Sequence, residues 1–291
     1  MHKISYSQYT MWANCPHAWK LKYVDGHRLD DSSIHTVFGT AMHEVVQEWL
    51  HILHNESEVK AKTMFLDDLF KDRLTKIFKE NVTMLASGEK VFLCDKPTLM
   101  EFFTHGTQIL SYIQTHYKKI FPTANIQLSA IEFPLDVIID DKVQYIGFID
   151  IVTYNTVTKK YKLYDLKTSK TGWTQAQKSD LGKTGQLLLY KRFFSQQQGV
   201  PEKDISVEFI ILKRIIHEST EFHIPRASKF EPPNGPPSVN KAWDKLHTFI
   251  NAAFTDDGEY ITEQSATPSK SACQWCKFRT RKDLCNEGVT K

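Results

Sequence analysis

The hydrophobic pattern changes its period near residue 126, and that change limits the folds open to this chain. Through the first 120 residues apolar side chains recur at helical spacing. From Ile126 to Tyr164, Val, Ile, Tyr and Phe gather instead in short runs. A bundle of helices alone and a sandwich of strands alone are both excluded. Residues 5–24 carry Tyr6, Tyr9, Trp12, Trp19 and Tyr23 and are interrupted at Cys15-Pro16, which predicts two short helices meeting at a turn. Gly39 to Leu53 predicts a helix with Val45, Val46, Trp49, Leu50 and Leu53 on one stripe. Residues 61–86 and 98–120 also read as helices, separated by Ser87-Gly88 and a Pro97 start.

The runs from 126 to 164 break at Asp140-Asp141-Lys142 and at Asn155 to Lys160, two turn-like clusters, and predict a three-stranded antiparallel meander. Gly185 to Gln198 returns to the helical period, and Ile205 to Ile216 and Thr220 to Ile224 read as further strands. Glu231 to Pro237 is proline-rich and reads as a loop before a last helix over 238–254. The expected fold class is α/β (mixed α+β), a central mixed sheet with helices packed on it.

No apolar run exceeds four residues, so a membrane span of about 20 is excluded. Met1 to Ser7 has no apolar stretch of the kind that begins a secretory signal, so the expected location is the cytoplasm. In a reducing compartment the five cysteines point to metal ligation or burial rather than disulfides.

Three positions stand out chemically. Asp150 lies in Gly147-Phe-Ile-Asp150, inside an otherwise apolar strand that includes Ile146, Phe148, Ile149, Ile151 and Val152. Asp165 and Lys167 end the next strand, where residues two apart share a face. An antiparallel neighbour can bring Asp150 beside Asp165. Two adjacent carboxylates repel, and a hard divalent cation such as Mg²⁺ or Mn²⁺ removes the conflict. Lys167 then stands where it can hold a water and offset charge on a scissile phosphate. His43, on the helix opened by Gly39, offers a ring nitrogen, and Gln186 and Tyr190 share a helical face.

His43, Gly147-x-x-Asp150, Asp165-x-Lys167 and Gln186-x-x-x-Tyr190 occur in the order and approximate spacing of the RecB-type branch of the PD-(D/E)XK nuclease superfamily. Ser5-x-Ser7 with Cys15-Pro16 and Trp19 resembles the opening of the version that carries an iron–sulfur cluster. AddB-type nuclease domains and the small CRISPR-associated exonucleases share it. The resemblance implies a restriction-endonuclease-like core and a metal held by His43, Asp150, Asp165 and the Leu166 carbonyl. Lys167 is then catalytic with Asp150 and Asp165, and Gln186 and Tyr190 support the site or touch DNA. Glu132 matches a commonly acidic position. The implied division is an N-terminal cluster ligand and first core helix over 1–54, a helical insertion over 55–122, a nuclease core over 123–230, and a C-terminal helix with the cluster segment over 231–291.

Cys273, Cys276 and Cys285 offer three thiolates close together and Cys15 a fourth from the other end, an arrangement that favours a [4Fe–4S] cubane over zinc. Such a cluster would staple the two ends together. Cys94 fits no ligand set and reads as a small apolar residue. Between Lys159 and Arg192 nine basic residues stand against two acidic ones, a net +7 that exceeds the +3 of the whole chain. Lys170 and Lys183, interleaved with Trp173, are suited to phosphates and unpaired bases of DNA. Gly182-Lys-Thr184 resembles the end of a phosphate-binding loop, but Gln177 stands where that loop needs its first glycine. A helicase or recombination motor would thus be a separate partner. The reading is an Mg²⁺- or Mn²⁺-dependent deoxyribonuclease, an exonuclease on single-stranded ends in a bacterial or phage-infected cell. The rival is a silent DNA-binding or structural protein on the same fold.

Overall fold

A computed structural model describes residues 1–27, 32–84, 90–216 and 224–289. Its centre is a six-stranded mixed sheet built from β1 (His2–Ile4), β4 (Ile126–Ile138), β5 (Val143–Asn155), β6 (Lys160–Ser169), β7 (Ile205–Lys213) and β8 (Ala227–Phe230). β4, β5 and β6 form the antiparallel meander that the sequence suggests. Its turns have local causes. Asp140 accepts from the backbone N–H groups of Lys142 (2.8 Å) and Val143 (2.9 Å), and Asn155 accepts from those of Val157 (3.0 Å) and Thr158 (2.8 Å). β6 and β7 run parallel, joined by a crossover through α7 (Gln175–Ser179) and α8 (Leu181–Gln198).

Alternation along the strands feeds two cores. Ile210 and Leu212 join Leu166 and Tyr164 under α3 (Ile34–Asn55), α5 (Leu66–Glu80) and α6 (Lys96–Ile120). Phe209 and Ile211 face the other way, toward α1 (Tyr6–Asn14), α8 and α9 (Pro236–Ala253). The sheet is the middle of three layers, a mixed α/β architecture consistent with a restriction-endonuclease-like fold.

Several boundaries differ from the sequence reading. α3 starts at Ile34 because Ser33 and Thr36 form a reciprocal cap, which puts His43 in the third turn rather than the first. The stretch 61–86 is not one helix: α4 (Glu58–Thr63) ends at an extended Met64 and α5 stops at Glu80, before the short β2 (Thr83–Met84) that pairs with β3 (Lys90–Val91). The expected break at Ser87-Gly88 lies outside the described residues. β7 ends at Lys213, and the strand expected at Thr220 to Ile224 falls almost wholly outside the described residues. Pro236 and Pro237 begin α9 instead of extending the loop, because proline tolerates a helix's first turn. Gly106 on α6 admits the Phe70 ring, which a Cβ there would meet at 2.1 Å.

The two chain ends meet. Thr267 donates to the Asn14 carbonyl at 3.0 Å, and the His17 ring lies 3.0 Å from the Leu284 carbonyl. No helix among the described residues is long and apolar enough to cross a membrane.

Candidate active site

β5 pairs with β4 along nearly its whole length on one side, interrupted where Glu132 would face Asp150, but not on the other. There β1 pairs with Val143 to Tyr145 and β6 with Ile151 to Asn155, so residues 146–150 form no ladder on that edge. The last β5–β6 pair is Ile151 with Tyr164, and the next in register would be Asp150 with Asp165. The strands part at that point, and the Leu166 N–H donates to Asp150 Oδ2 at 2.7 Å. A side chain has replaced the ladder bond.

His43 reaches this opening from α3, with Nδ1 3.6 Å from Asp150 Oδ2. Glu132 comes from β4 on the far side of β5 and has φ +49°, a left-handed backbone that a non-glycine residue rarely adopts. Gln47, one turn beyond His43 and 7% exposed, donates to the Glu132 carboxylate and, at 3.3 Å, to the Asp150 carbonyl. One ligand atom each from His43, Glu132 and Asp150 lie within 4.8 Å of one another. Asp165 is not in that group. It is 2% exposed, and Lys167 Nζ sits 3.0 Å from its Oδ1 and 2.9 Å from its Oδ2. Lys167 donates also to Gln186 Oε1 (3.0 Å), whose amide nitrogen donates to the Tyr190 hydroxyl (2.9 Å). Gly147 makes room for that phenol, since a Cβ there would meet the Tyr190 ring at 3.1 Å.

Electrostatics follow from burial. Loss of solvent, reinforced by Asp165, holds the Asp150 carboxyl well above the ordinary aspartate range. Burial pushes the His43 imidazole down, against the opposing pull of Asp165 and of the Leu166 carbonyl beside its ring. Burial also works against the Lys167 charge, yet Asp165 and Asp150 outweigh it and keep the ammonium above its usual value. One lysine does not satisfy three carboxylates, and among the described residues Asp165 Oδ2 has the 2.9 Å ion pair with that ammonium but no directed hydrogen bond. An imidazole nitrogen and several carboxylate oxygens are a donor set that fits a divalent cation.

Two clefts meet at Lys167 and Thr168. One, of about 670 Å³, contains His43, Glu44, Gln47 and Glu132. The other, of about 580 Å³, contains Ser5, Ser7, Phe148, Trp173, Lys183 and Gln186. The basic segment is less concentrated here than its count suggests. Lys191 is 5% exposed and donates to Asn234, Arg192 pairs with Glu202, and Lys162 lies beside Glu208 and Glu231, all away from both clefts. Lys183 remains exposed, 6.0 Å from the Trp173 ring centroid, and Lys170 is exposed nearby in sequence. Trp173 is not a free stacking face, because it packs on Phe209 at 4.9 Å. Sequence reasoning passed over Gln47, although its place four residues after His43 on a helix was a usable signal.

Cys15, Cys273, Cys276 and Cys285 line one small cavity with Ala18, Leu21 and Phe278. Their sulfurs are not drawn into a close ligand group, since no three thiols lie within 4.8 Å of one another. Cys94 packs at the edge of the helical core.

No curated protein matches the sequence. Among solved structures, a candidate exonuclease from Eubacterium rectale is similar in fold, with a TM-score of 0.51 at 12% identity, covering 99% of this chain and 89% of that one. A family model for the PD-(D/E)XK nuclease superfamily matches residues 3–281, nearly the whole chain and every residue of the opening between β5 and β6. The chain belongs to the PD-(D/E)XK nuclease superfamily.

Proposed function

We propose that this nuclease is a divalent-metal-dependent deoxyribonuclease of the RecB-type branch, acting as an exonuclease on single-stranded DNA ends. The observation that carries the reading is the meeting of His43, Glu132 and Asp150 donor atoms within 4.8 Å, with the Lys167 ammonium fixed beside them on Asp165. His43, Asp150, Asp165 and the Leu166 carbonyl would hold Mg²⁺ or Mn²⁺, with Glu132 joining them. When bound, such an ion lowers the pKa of water and polarises a phosphoryl oxygen.

The chain's own residues do the rest. Lys167 stays charged and offers protons to a phosphate oxygen, offsetting the charge that develops there. Gln186 and Tyr190 keep that ammonium from swinging away. The Leu166 N–H fixes which Asp150 oxygen turns into the cleft. Lys183 and Lys170 attract the DNA backbone, and any helicase or recombination motor is a separate partner.

The test is cleavage of 5′- and 3′-labelled single strands, duplexes and circles with Mn²⁺ or with EDTA. Cleavage of linear single strands that needs Mn²⁺ and is lost in Asp165→Ala and Lys167→Ala is the expected result. No cleavage would leave a silent DNA-binding protein on a nuclease fold, and full cleavage by either variant would remove Asp165 or Lys167 from the chemistry.

We also propose a [4Fe–4S] cluster on Cys15, Cys273, Cys276 and Cys285. Its support is that four thiols from opposite ends of the chain surround one cavity. Iron of about four per chain with absorbance at about 400 nm, both lost in Cys276→Ser, is the expected result. Zinc or no metal would refute it.

A further inference from the structure

Phe148 sits two residues before Asp150 in a strand most of whose apolar side chains are inside, with Ile146 half-buried. Tyr145, Ile149 and Ile151 are 0% exposed, whereas Phe148 is 58% exposed. It belongs to the unladdered stretch of β5 and stands opposite Pro134 on β4. Scattered exposed phenylalanines are ordinary on protein surfaces. This one lines the 580 Å³ cleft that shares Lys167 and Thr168 with the candidate metal site. The same cleft carries the hydroxyl residues Ser5, Ser7 and Thr10 and the cation Lys183. An open aromatic face, hydroxyls and an ammonium are the groups that receive a base and its phosphate. The cleft also lies within the roughly 300–1,000 Å³ of small-molecule sites.

We propose that Phe148 is a positioning residue that stacks on an unpaired nucleobase next to the scissile phosphate. The inference rests on the nuclease reading and narrows its substrate. A base in a duplex keeps both faces covered by its neighbours, so a strand must arrive unpaired to use this surface. Base identity is read weakly, because every base has a π-face.

The test uses single-stranded oligonucleotides carrying 2-aminopurine at successive positions, bound to the full chain in EDTA so that nothing is cut. The expected result is fluorescence quenching confined to one or two adjacent positions. It should be lost in Phe148→Ala together with roughly tenfold to a hundredfold in affinity, the range for one aromatic–base stack. Phe148→Tyr should restore both, and Phe148→Leu, which keeps bulk without a π-face, should not. Quenching that is uniform along the strand, or unchanged in Phe148→Ala, would overturn the proposal. Mn²⁺ added to the same oligonucleotides separates the two readings. A wild-type protein that quenches but never cuts removes the nuclease and keeps the subsite. One that cuts equally well with Phe148 replaced by alanine removes the subsite and keeps the nuclease.

Discussion

The two halves of β5 are made of similar residues and have opposite fates. In the half from Ile151 to Asn155, each residue pairs with β6, and Ile151 and Val152 are fully buried. In the half from Ile146 to Asp150, the ladder toward β6 is missing, an aromatic faces solvent, and an aspartate faces a histidine. The first half shows what an apolar strand does when every backbone group has a partner. The second shows what becomes available where pairing stops: backbone N–H groups free to orient a carboxylate, and room for charged side chains from three other elements. The proposed site occupies the unladdered half and depends on the laddered half for rigidity.

The sharpest way to break this contrast is to exchange the kind of damage each half suffers. Asp150→Asn should lower cleavage about a hundredfold to a thousandfold, the cost of losing a group that stabilises developing charge. It should also raise the metal-free protein's stability by about 1 kcal/mol, since it removes a buried charge from beside Asp165. In the laddered half the signs reverse. Ile151→Ala should cost about 2–5 kcal/mol of stability through the cavity it leaves, while the molecules that remain folded still cut. Denaturant titration and cleavage rates on the same preparations check both. A stabilised, inactive Ile151→Ala or an active Asp150→Asn would erase the distinction.

A smaller effect tests the supports of the open half. Gln47 holds Glu132, whose left-handed backbone is strained, and also contacts the Asp150 carbonyl. Gln47→Leu should weaken Mn²⁺ binding about tenfold to a hundredfold by calorimetry, the usual consequence of removing a group that orients a ligand. Binding as tight as the wild type's would show that Glu132 needs no such support.

The smallest expected effect is on pH dependence. Asp150 has a folded pKa above its unfolded value of about 3.9, so its contribution is fully present below that value and declines as pH rises toward the folded one. The metal-free protein should therefore lose stability with rising pH across the weakly acidic range, and Asp150→Asn should flatten that slope. His43 works in the other sense. Its folded pKa is below the unfolded value of about 6.5, so its contribution holds above that value and is lost as pH falls through the folded pKa. Mn²⁺ affinity should rise over the same acidic range, by up to about tenfold per unit for each proton released. Melting curves of wild type and Asp150→Asn with and without Mn²⁺ read both, and a metal-free slope that Asp150→Asn leaves unchanged would contradict the assignment to Asp150.

Much of this was legible in the sequence. The meander was set by two turn clusters whose side chains do cap their own backbone, and Asp165 and Lys167 were placed together by strand alternation alone. That Asp150 comes beside Asp165, one step beyond the last β5–β6 pair, followed from the same meander. Three features were not legible. Glu132 was named through the family resemblance alone, and the left-handed backbone it has beside His43 and Asp150 is announced by no periodicity. Phe148 looked like core because it stands in an apolar run, and exposure there depends on where a neighbouring strand ends. The basic segment looked continuous, but helix and strand periods send Lys162, Lys191 and Arg192 to acidic or amide partners elsewhere. Charge counted along a chain ignores which face each residue occupies.

One measurement bears most directly on the open half of β5: anomalous diffraction from a crystal of the wild-type protein soaked in Mn²⁺. A manganese peak within about 2.3 Å of His43 Nδ1 and an Asp150 oxygen, with Glu132 or Asp165 completing the sphere, is the predicted result. Manganese bound only elsewhere, with none between His43 and Asp150, would contradict the account.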